Sequence, residues 1–308
     1  LKQREYQGDA TDFYKAPRAV AEIVNLAIRL GRPLLVEGEP GCGKTMLAYS
    51  VAKELGLEVV KISVKSTSQA RDLLYRVNAL RRLQEAQDLE NKQARYVYPY
   101  ISLEPLGKAI AAAERSVVLI DEIDKADIDF PNDLLEVLDR FEFDIDDLPL
   151  EEEKDCQRER GFGRKIEGKG ERPIVIVTSN REKRLPEPFL RRCLYAQLEF
   201  PRDAESLRDI VRKNLKQSAE EVEDEVWLDV AVQAFREVRD AAKENRMQKP
   251  PTTGELIDWV RILRWEGTDA AQIKEKPKFP PKWELLFKTM DDLKEYGRLA
   301  TAETAKNA

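Results

Sequence analysis

No histidine occurs anywhere in the 308 residues, so the commonest general base and the commonest metal ligand are both excluded from any chemistry the chain performs. Catalysis has to be built from carboxylates, amides and cations. Cysteine is scarce as well. Cys42, Cys156 and Cys193 are widely spaced and odd in number, which makes neither a disulfide framework nor a zinc pattern and fits a reducing cytoplasm. No apolar run approaches the length of a membrane span, and the first thirty residues carry charges throughout instead of a signal-peptide core. Net positive charge is lacking too: 52 Lys and Arg against 58 Asp and Glu leave −6, with a pI near 5.3. That balance argues against a dedicated nucleic-acid binder, because phosphate neutralisation needs clustered Lys and Arg.

What the chain does have is charge of both signs, 36% of its residues, a share that goes with long solvated helices. Its length allows a substantial core in one or two domains. It opens on Leu1, so the native start is expected to be missing.

The densest signal is the run Gly38-Glu39-Pro40-Gly41-Cys42-Gly43-Lys44-Thr45, preceded by Leu34-Leu35-Val36. Gly at both ends of a four-residue gap, then Lys and Thr, is the spacing of a loop that cradles phosphates. Gly41 and Gly43 allow backbone conformations that a Cβ would penalise, so that successive N–H groups point inward around an anion. Lys44 then reaches phosphate oxygens as a point charge, and the Thr45 hydroxyl is placed to ligate Mg²⁺. The helix expected from about Lys44 to Gly56 adds its N-terminal N–H groups and dipole. A glycine-rich turn with a surface lysine is the alternative. Cys42 reads as a space filler, not as a catalytic group.

Hydrophobic patterning predicts a helix over 17–31, strands at 34–36, 57–64, 117–120, 174–178 and 195–200, and helices between them. A long polar helix is expected through Leu73, Leu74, Val77, Leu80 and Leu83, an edge strand at 96–101, a helix over 104–114 and another from Pro131 to Phe141. Residues 142–172, acidic and then basic and glycine-rich, suggest a mobile hairpin or loop. After Pro201 strand signals vanish: helices are predicted near 203–216, 223–244 and 253–265, then a linker over 274–282, an amphipathic helix from Trp283 to Tyr296 and a frayed end. Alternating strands and helices imply a doubly wound parallel sheet in residues 1–200, followed by an all-helical part in 201–308.

Two further constellations fall at strand ends, where ligands collect in open parallel sheets. Asp121-Glu122 closes the third strand: an aspartate there holds Mg²⁺ through its water shell, and the next carboxylate accepts a proton from water. Thr178-Ser179-Asn180 closes the fourth, where an amide orients water or senses a phosphate. Arg191-Arg192-Cys193 follows, and an arginine near a subunit boundary stabilises charge in a neighbouring phosphoryl transfer. A capping aspartate, a turn asparagine and a surface salt bridge are the ordinary alternatives.

Phosphate loop, Asp-Glu strand, Asn-ended strand and Arg-Arg-Cys, in this order and before a helical domain, resemble the AAA+ ATPases over about residues 15–265. Leu73-Leu74-Tyr75-Arg76, the run from Val118 to Ala126 and Phe189-Leu190-Arg191-Arg192-Cys193 resemble the MoxR group within them. The resemblance implies an α/β P-loop NTPase fold with a five-stranded parallel sheet ordered 5-1-4-3-2, a small all-α lid, an insert at about 66–102 and a hairpin within 142–172. It implies ATP and Mg²⁺ as ligands, a ring-forming homo-oligomer, usually a hexamer, with ATP bound between subunits, and a protein substrate, often a von Willebrand factor A domain protein.

Carried onto this chain, the family roles fall on residues 38–45 for the phosphates, Thr45 and Asp121 for Mg²⁺, Glu122 as base, Asn180 as sensor and Arg192, with Arg191 beside it, as arginine finger. One departure stands out. The second-sensor arginine expected at the start of the third lid helix is missing from Pro250-Pro251-Thr252-Thr253-Gly254-Glu255, which leaves Lys249, Arg261 or Arg264 as substitutes. The implied function is an ATP-driven, chaperone-like remodelling motor. A slow ATP-gated switch and a DNA-associated ATPase are the competing readings, and partner choice is expected in the hairpin, the insert or the C-terminal segment.

Overall fold

Strands that are apolar on both faces must be covered on both faces, and helices at the crossovers supply the cover. The computed structural model describes residues 5–8, 14–87, 92–217 and 224–306. Contacts divide the chain into two compact units, the first mainly Lys15–Gly38 and Gly43–Leu198, the second Glu39–Cys42 and the chain from Glu199 onward.

In the first unit α1 (Arg18–Leu30) leads into β1 (Leu34–Gly38), and α2 (Lys44–Leu55) leads from the loop to β2 (Glu58–Ser63). Next come β3 (Tyr75–Val77), α3 (Ala79–Ala86), β4 (Ile101–Leu103), α4 (Pro105–Ala111) and β5 (Ser116–Asp121). The helices α5 (Phe130–Asp133) and α6 (Leu135–Arg140), then β6 (Glu142–Asp144), α7 (Glu153–Arg160) and β7 (Lys165–Glu167), precede β8 (Ile174–Ser179). Last are α8 (Glu187–Arg192) and β9 (Leu194–Leu198).

The five-stranded sheet runs β2-β5-β8-β1-β9 with every neighbouring pair parallel. Counted among the five sheet strands from the β9 edge, this is the expected order 5-1-4-3-2. The inner strands are continuous buried runs, from Val117 to Ile120 and from Ile174 to Ser179, whereas the edge strands β2 and β9 mix exposed polar residues with covered ones. Register brings Glu37 opposite Ser179 and Ile120 opposite Val177, so the residues that leave β1, β5 and β8 share one end of the sheet.

Several expected elements are corrected. The long helix through Leu73 and Leu83 does not form: a 3-10 turn (Ala70–Leu73), β3 and the short α3 replace it, and β3 pairs antiparallel with β4. Tyr75-Arg76-Val77 is β-prone and its partner strand supplies a ladder that helical spacing cannot reveal. Leu80 and Leu83 consequently lie exposed on α3 instead of forming a core stripe. The edge strand at 96–101 is a 3-10 turn (Tyr98–Tyr100) feeding β4, and the helix from Pro131 breaks at Leu134 into α5 and α6. Residues 142–172 carry the β6–β7 antiparallel pair and also α7.

The second unit holds α9 (Ala204–Gln217), α10 (Glu225–Glu244), α11 (Thr253–Trp265), α12 (Ala270–Glu275) and α13 (Met290–Lys306). Leu207, Val211, Leu228, Phe235, Trp259 and Leu263 form its core with no or almost no exposure. Two expectations are adjusted here as well. The linker expected over 274–282 is shortened to 276–282, because its first two residues belong to α12, whose start is fixed by a capping box between Asp269 and Gln272. The single helix from Trp283 to Tyr296 is a 3-10 turn (Trp283–Leu286) followed by α13, which continues to Lys306 through the stretch expected to fray. Clustered aromatics explain the break: Phe279, Trp283 and Phe287 all pack at a tilt on Tyr296, which one straight helix would not allow. Among the described residues no helix is long and apolar enough to cross a membrane.

Candidate functional site

The loop between β1 and α2 takes the backbone that its glycines permit: φ is +75° at Gly41 and +97° at Gly43, both in the region that side chains disfavour. Lys44 is buried at the start of α2, and its Nζ donates to the Gly38 carbonyl at 2.9 Å, so the ammonium lies along the loop instead of in solvent. Cys42 is buried and is not part of a disulfide. Glu39–Cys42 cluster with the second unit. There Glu39 is ion-paired with Arg239 and with Lys243 at 2.9 Å, and the Thr253 hydroxyl donates to the Gly41 carbonyl at 2.6 Å.

At the end of β5, Asp121 collects donors. The Thr45 hydroxyl donates to it at 3.1 Å, the Thr178 hydroxyl at 2.7 Å, and Lys61 from β2 forms an ion pair at 3.0 Å. Burial alone would raise the Asp121 pKa, but the bonds from Thr178, Lys61 and Thr45 hold the carboxyl below its ordinary range. The same pairing raises Lys61. Thr178 does double duty, since its oxygen also accepts the Glu122 N–H at 2.9 Å.

Glu122 adopts a left-handed backbone, φ 60°, which is costly for a residue with a Cβ. Its carboxylate accepts from the Asn180 amide at 3.2 Å and is ion-paired with Lys125. Asn180 is fixed from below: its N–H and that of Glu182 both donate to the buried Asp124 carboxylate, at 3.0 and 2.8 Å.

Thr45, Asp121, Glu122 and Asn180 therefore belong to one hydrogen-bonded chain through Thr178, with Lys44 next to Thr45 on the loop. Arg191 and Arg192 stand apart from that chain. Arg191 pairs with Glu187 at 3.0 Å and Arg192 with Asp139 at 2.5 Å, while their carbonyls accept from Arg32. Burial pushes the neighbouring Cys193 thiol up to about 12, which keeps it protonated and unreactive.

The donor set suits a nucleotide with Mg²⁺. Loop N–H groups and Lys44 match phosphate oxygens, and a Thr hydroxyl beside an ionised Asp matches the one or two protein oxygens Mg²⁺ takes when phosphates complete its shell. Sequence reasoning gave no role of their own to Lys61, Lys125 and Thr178, polar residues that look solvent-facing or structural until the strands are aligned. It also missed Arg239, whose charge lies on the buried face of α10 among Phe235, Val238 and Ala242. A lone arginine in that apolar stripe was the available signal.

The model of the ATPase family associated with various cellular activities (AAA) matches residues 34–202. A stretch of 68 residues is 38% identical to the denitrification regulatory protein NirQ of Pseudomonas aeruginosa, covering 22% of this chain and 26% of that protein. The Lon protease of Brevibacillus choshinensis is 32% identical over 179 residues, 56% of this chain and 19% of its own length. Lon protease 1 of Bacillus subtilis is 26% identical over 76% of this chain and 31% of its own. The chain thus spans less than a third of each of these relatives. Among solved structures, a point mutant of RuvB from Thermotoga maritima aligns with TM-score 0.45 and 16% identity over 82% of this chain and 71% of that one.

Proposed function

The chain belongs to the AAA family of ATPases, and we propose that it hydrolyses ATP with Mg²⁺ as a MoxR-type ring motor that remodels a partner protein in the cytoplasm. The observation that carries this reading is the continuous set of contacts from Thr45 through Asp121 and Thr178 to Glu122 and Asn180. Residues 38–45 bind the phosphates, with Lys44 exchanging the Gly38 carbonyl for phosphate oxygens. Thr45 and Asp121 would hold Mg²⁺, which when bound offsets charge on the transferring phosphoryl group. Glu122 takes the proton of the attacking water, and Asn180 orients that carboxylate and the water beside it. Arg192, with Arg191 next to it, is the cation offered to the site of a neighbouring subunit, and in the single chain Asp139 holds it in reserve. A hexameric ring and a von Willebrand factor A domain partner are what the MoxR resemblance adds to this reading. The helical unit of the chain is the proposed lid.

A second reading, an ATP-gated assembly switch with slow turnover, is favoured by the Lys125 ion pair, which occupies the very carboxylate that must accept a proton. Replacement Glu122→Gln tests the main reading: the amide keeps the hydrogen-bonding shape and removes the base. Turnover should fall about 100-fold or more while ATP affinity stays within a few-fold, measured by single-turnover hydrolysis and fluorescent-nucleotide titration. Unchanged turnover would remove Glu122 from the role of base.

A further inference from the structure

Glu37 is the residue directly before Gly38 and adds a negative charge to the strand that leads into the loop. Its side chain is only 16% exposed, so water screens it poorly. Arg181 answers it. The guanidinium Nε donates to Glu37 at 2.8 Å, a second nitrogen donates to the Tyr195 hydroxyl at 2.6 Å, and that hydroxyl donates to the same Glu37 oxygen at 3.1 Å. The three residues come from the end of β1, the turn after β8 and the start of β9, and Glu37 lies in register with Ser179. Arg181 itself holds a left-handed backbone, φ 63°, immediately after Asn180, with its N–H donating to the Ser179 hydroxyl at 3.1 Å. An arginine kept in a conformation that glycine would take more easily is held there by its side chain, and a strained residue beside a candidate site points to a role.

We propose that Arg181 is a positioning residue that neutralises Glu37 at the root of the loop, so that nucleotide affinity depends on the Arg181–Glu37 pair and not on either charge alone. Without the arginine, the carboxylate repels the phosphates. Without both charges, the repulsion is gone and affinity returns. Tyr195 holds the two in place by bonding to each. The pair is half open on the arginine side, 47% exposed, so the effect weakens with added salt. This inference rests on reading residues 38–45 as the nucleotide site.

The test is a set of variants read by equilibrium titration of a fluorescent ATP analogue, with thermal unfolding of each nucleotide-free protein alongside. In Arg181→Gly, glycine accepts the backbone conformation, so the melting temperature should change little while affinity falls about tenfold at low salt. Glu37→Gln alone should bind as tightly as the parent or more tightly. The double variant should recover to within about threefold of the parent. Arg181→Lys, which keeps the charge without the fork, should lie between parent and Arg181→Gly. Equal affinity in Arg181→Gly and the parent, or a double variant as weak as Arg181→Gly, would overturn the proposal. Failure of the reading beneath it looks different: the parent itself would bind no nucleotide, or would bind it undiminished after Lys44→Ala.

Discussion

The half-exposed charges at the sheet end of the first unit and two buried charges of the second are satisfied in different ways. Along the sheet end of the first, Glu122, Lys125 and Arg181 keep between a third and a half of their side-chain surface exposed, and their partners are mostly other side chains. In the second, Arg239 and Asp292 are 5% and 3% exposed, and besides one side-chain partner each, Glu39 and Thr289, they bond to the main chain. Arg239 donates to the Pro251 carbonyl and lies 3.4 Å from the centre of the Phe200 ring. Asp292 accepts the N–H groups of Gln248 and Lys249 at 2.8 and 3.0 Å and the Thr289 hydroxyl at 2.7 Å. A side-chain partner can be exchanged for a ligand by turning a rotamer. A main-chain partner cannot be given up without leaving a buried peptide group unsatisfied. The difference separates residues available for chemistry from residues that fix a fold, although both kinds are polar and covered.

Lys44→Ala puts the most weight on that contrast. Lys44 is buried and bonded to a main-chain carbonyl, the pattern of a charge that fixes a fold, yet it should behave as a functional residue with a structural disguise. Loss of the ammonium should weaken ATP binding by about 100-fold or more, since charge-assisted contacts to phosphate are the strong ones. The nucleotide-free protein should melt within a few degrees of the parent. A large drop in melting temperature with little change in binding would place Lys44 with the structural charges and break the contrast.

Asp292→Ala examines the other side. The change strands two main-chain donors and a hydroxyl, each worth about 1 kcal/mol or more when left unmade in the interior, so a loss of about 2–4 kcal/mol in stability is expected. Urea unfolding with a fixed m-value measures it. ATP affinity at low temperature should not move, and a binding defect without destabilisation would count against the division.

The sheet was legible because its inner strands are apolar runs with nothing else to be, and the loop because its glycines, lysine and threonine obey the spacing that phosphate imposes. Tyr75-Arg76-Val77 was not legible as a strand: three residues carry no period, and their partners Ile101-Ser102-Leu103 lie more than twenty residues away. Lys61 on an edge strand reads as a solvent-facing residue, and only the pairing of Ser63 with Asp121 brings β2 close enough to β5 for its ammonium to reach the carboxylate. The left-handed backbones of Glu122 and Arg181 leave no mark in composition, because neither residue favours that region on its own. What the sequence hides is therefore mostly pairing between distant segments and strain at single residues, and the candidate site uses both.

The smallest expected effect concerns acid. Burial alone would raise the Asp292 carboxyl, but the Thr289 hydroxyl and the N–H groups of Gln248 and Lys249 more than offset it and hold the group below its ordinary 3.8. A folded value below the unfolded one means that the unfolded chain binds its proton first as pH falls. The stability Asp292 contributes is thus fully present above about pH 4 and fades as pH drops through the folded value. Asp292→Asn keeps the shape, cannot ionise, and should lose part of the parent's stability at pH 7. The gap between the two proteins in urea unfolding should stay constant from pH 7 to 5 and narrow below pH 4. A gap that widens in acid would mean that the carboxyl is protonated in the fold, and that the helical unit holds this charge by burial and not by its main-chain donors.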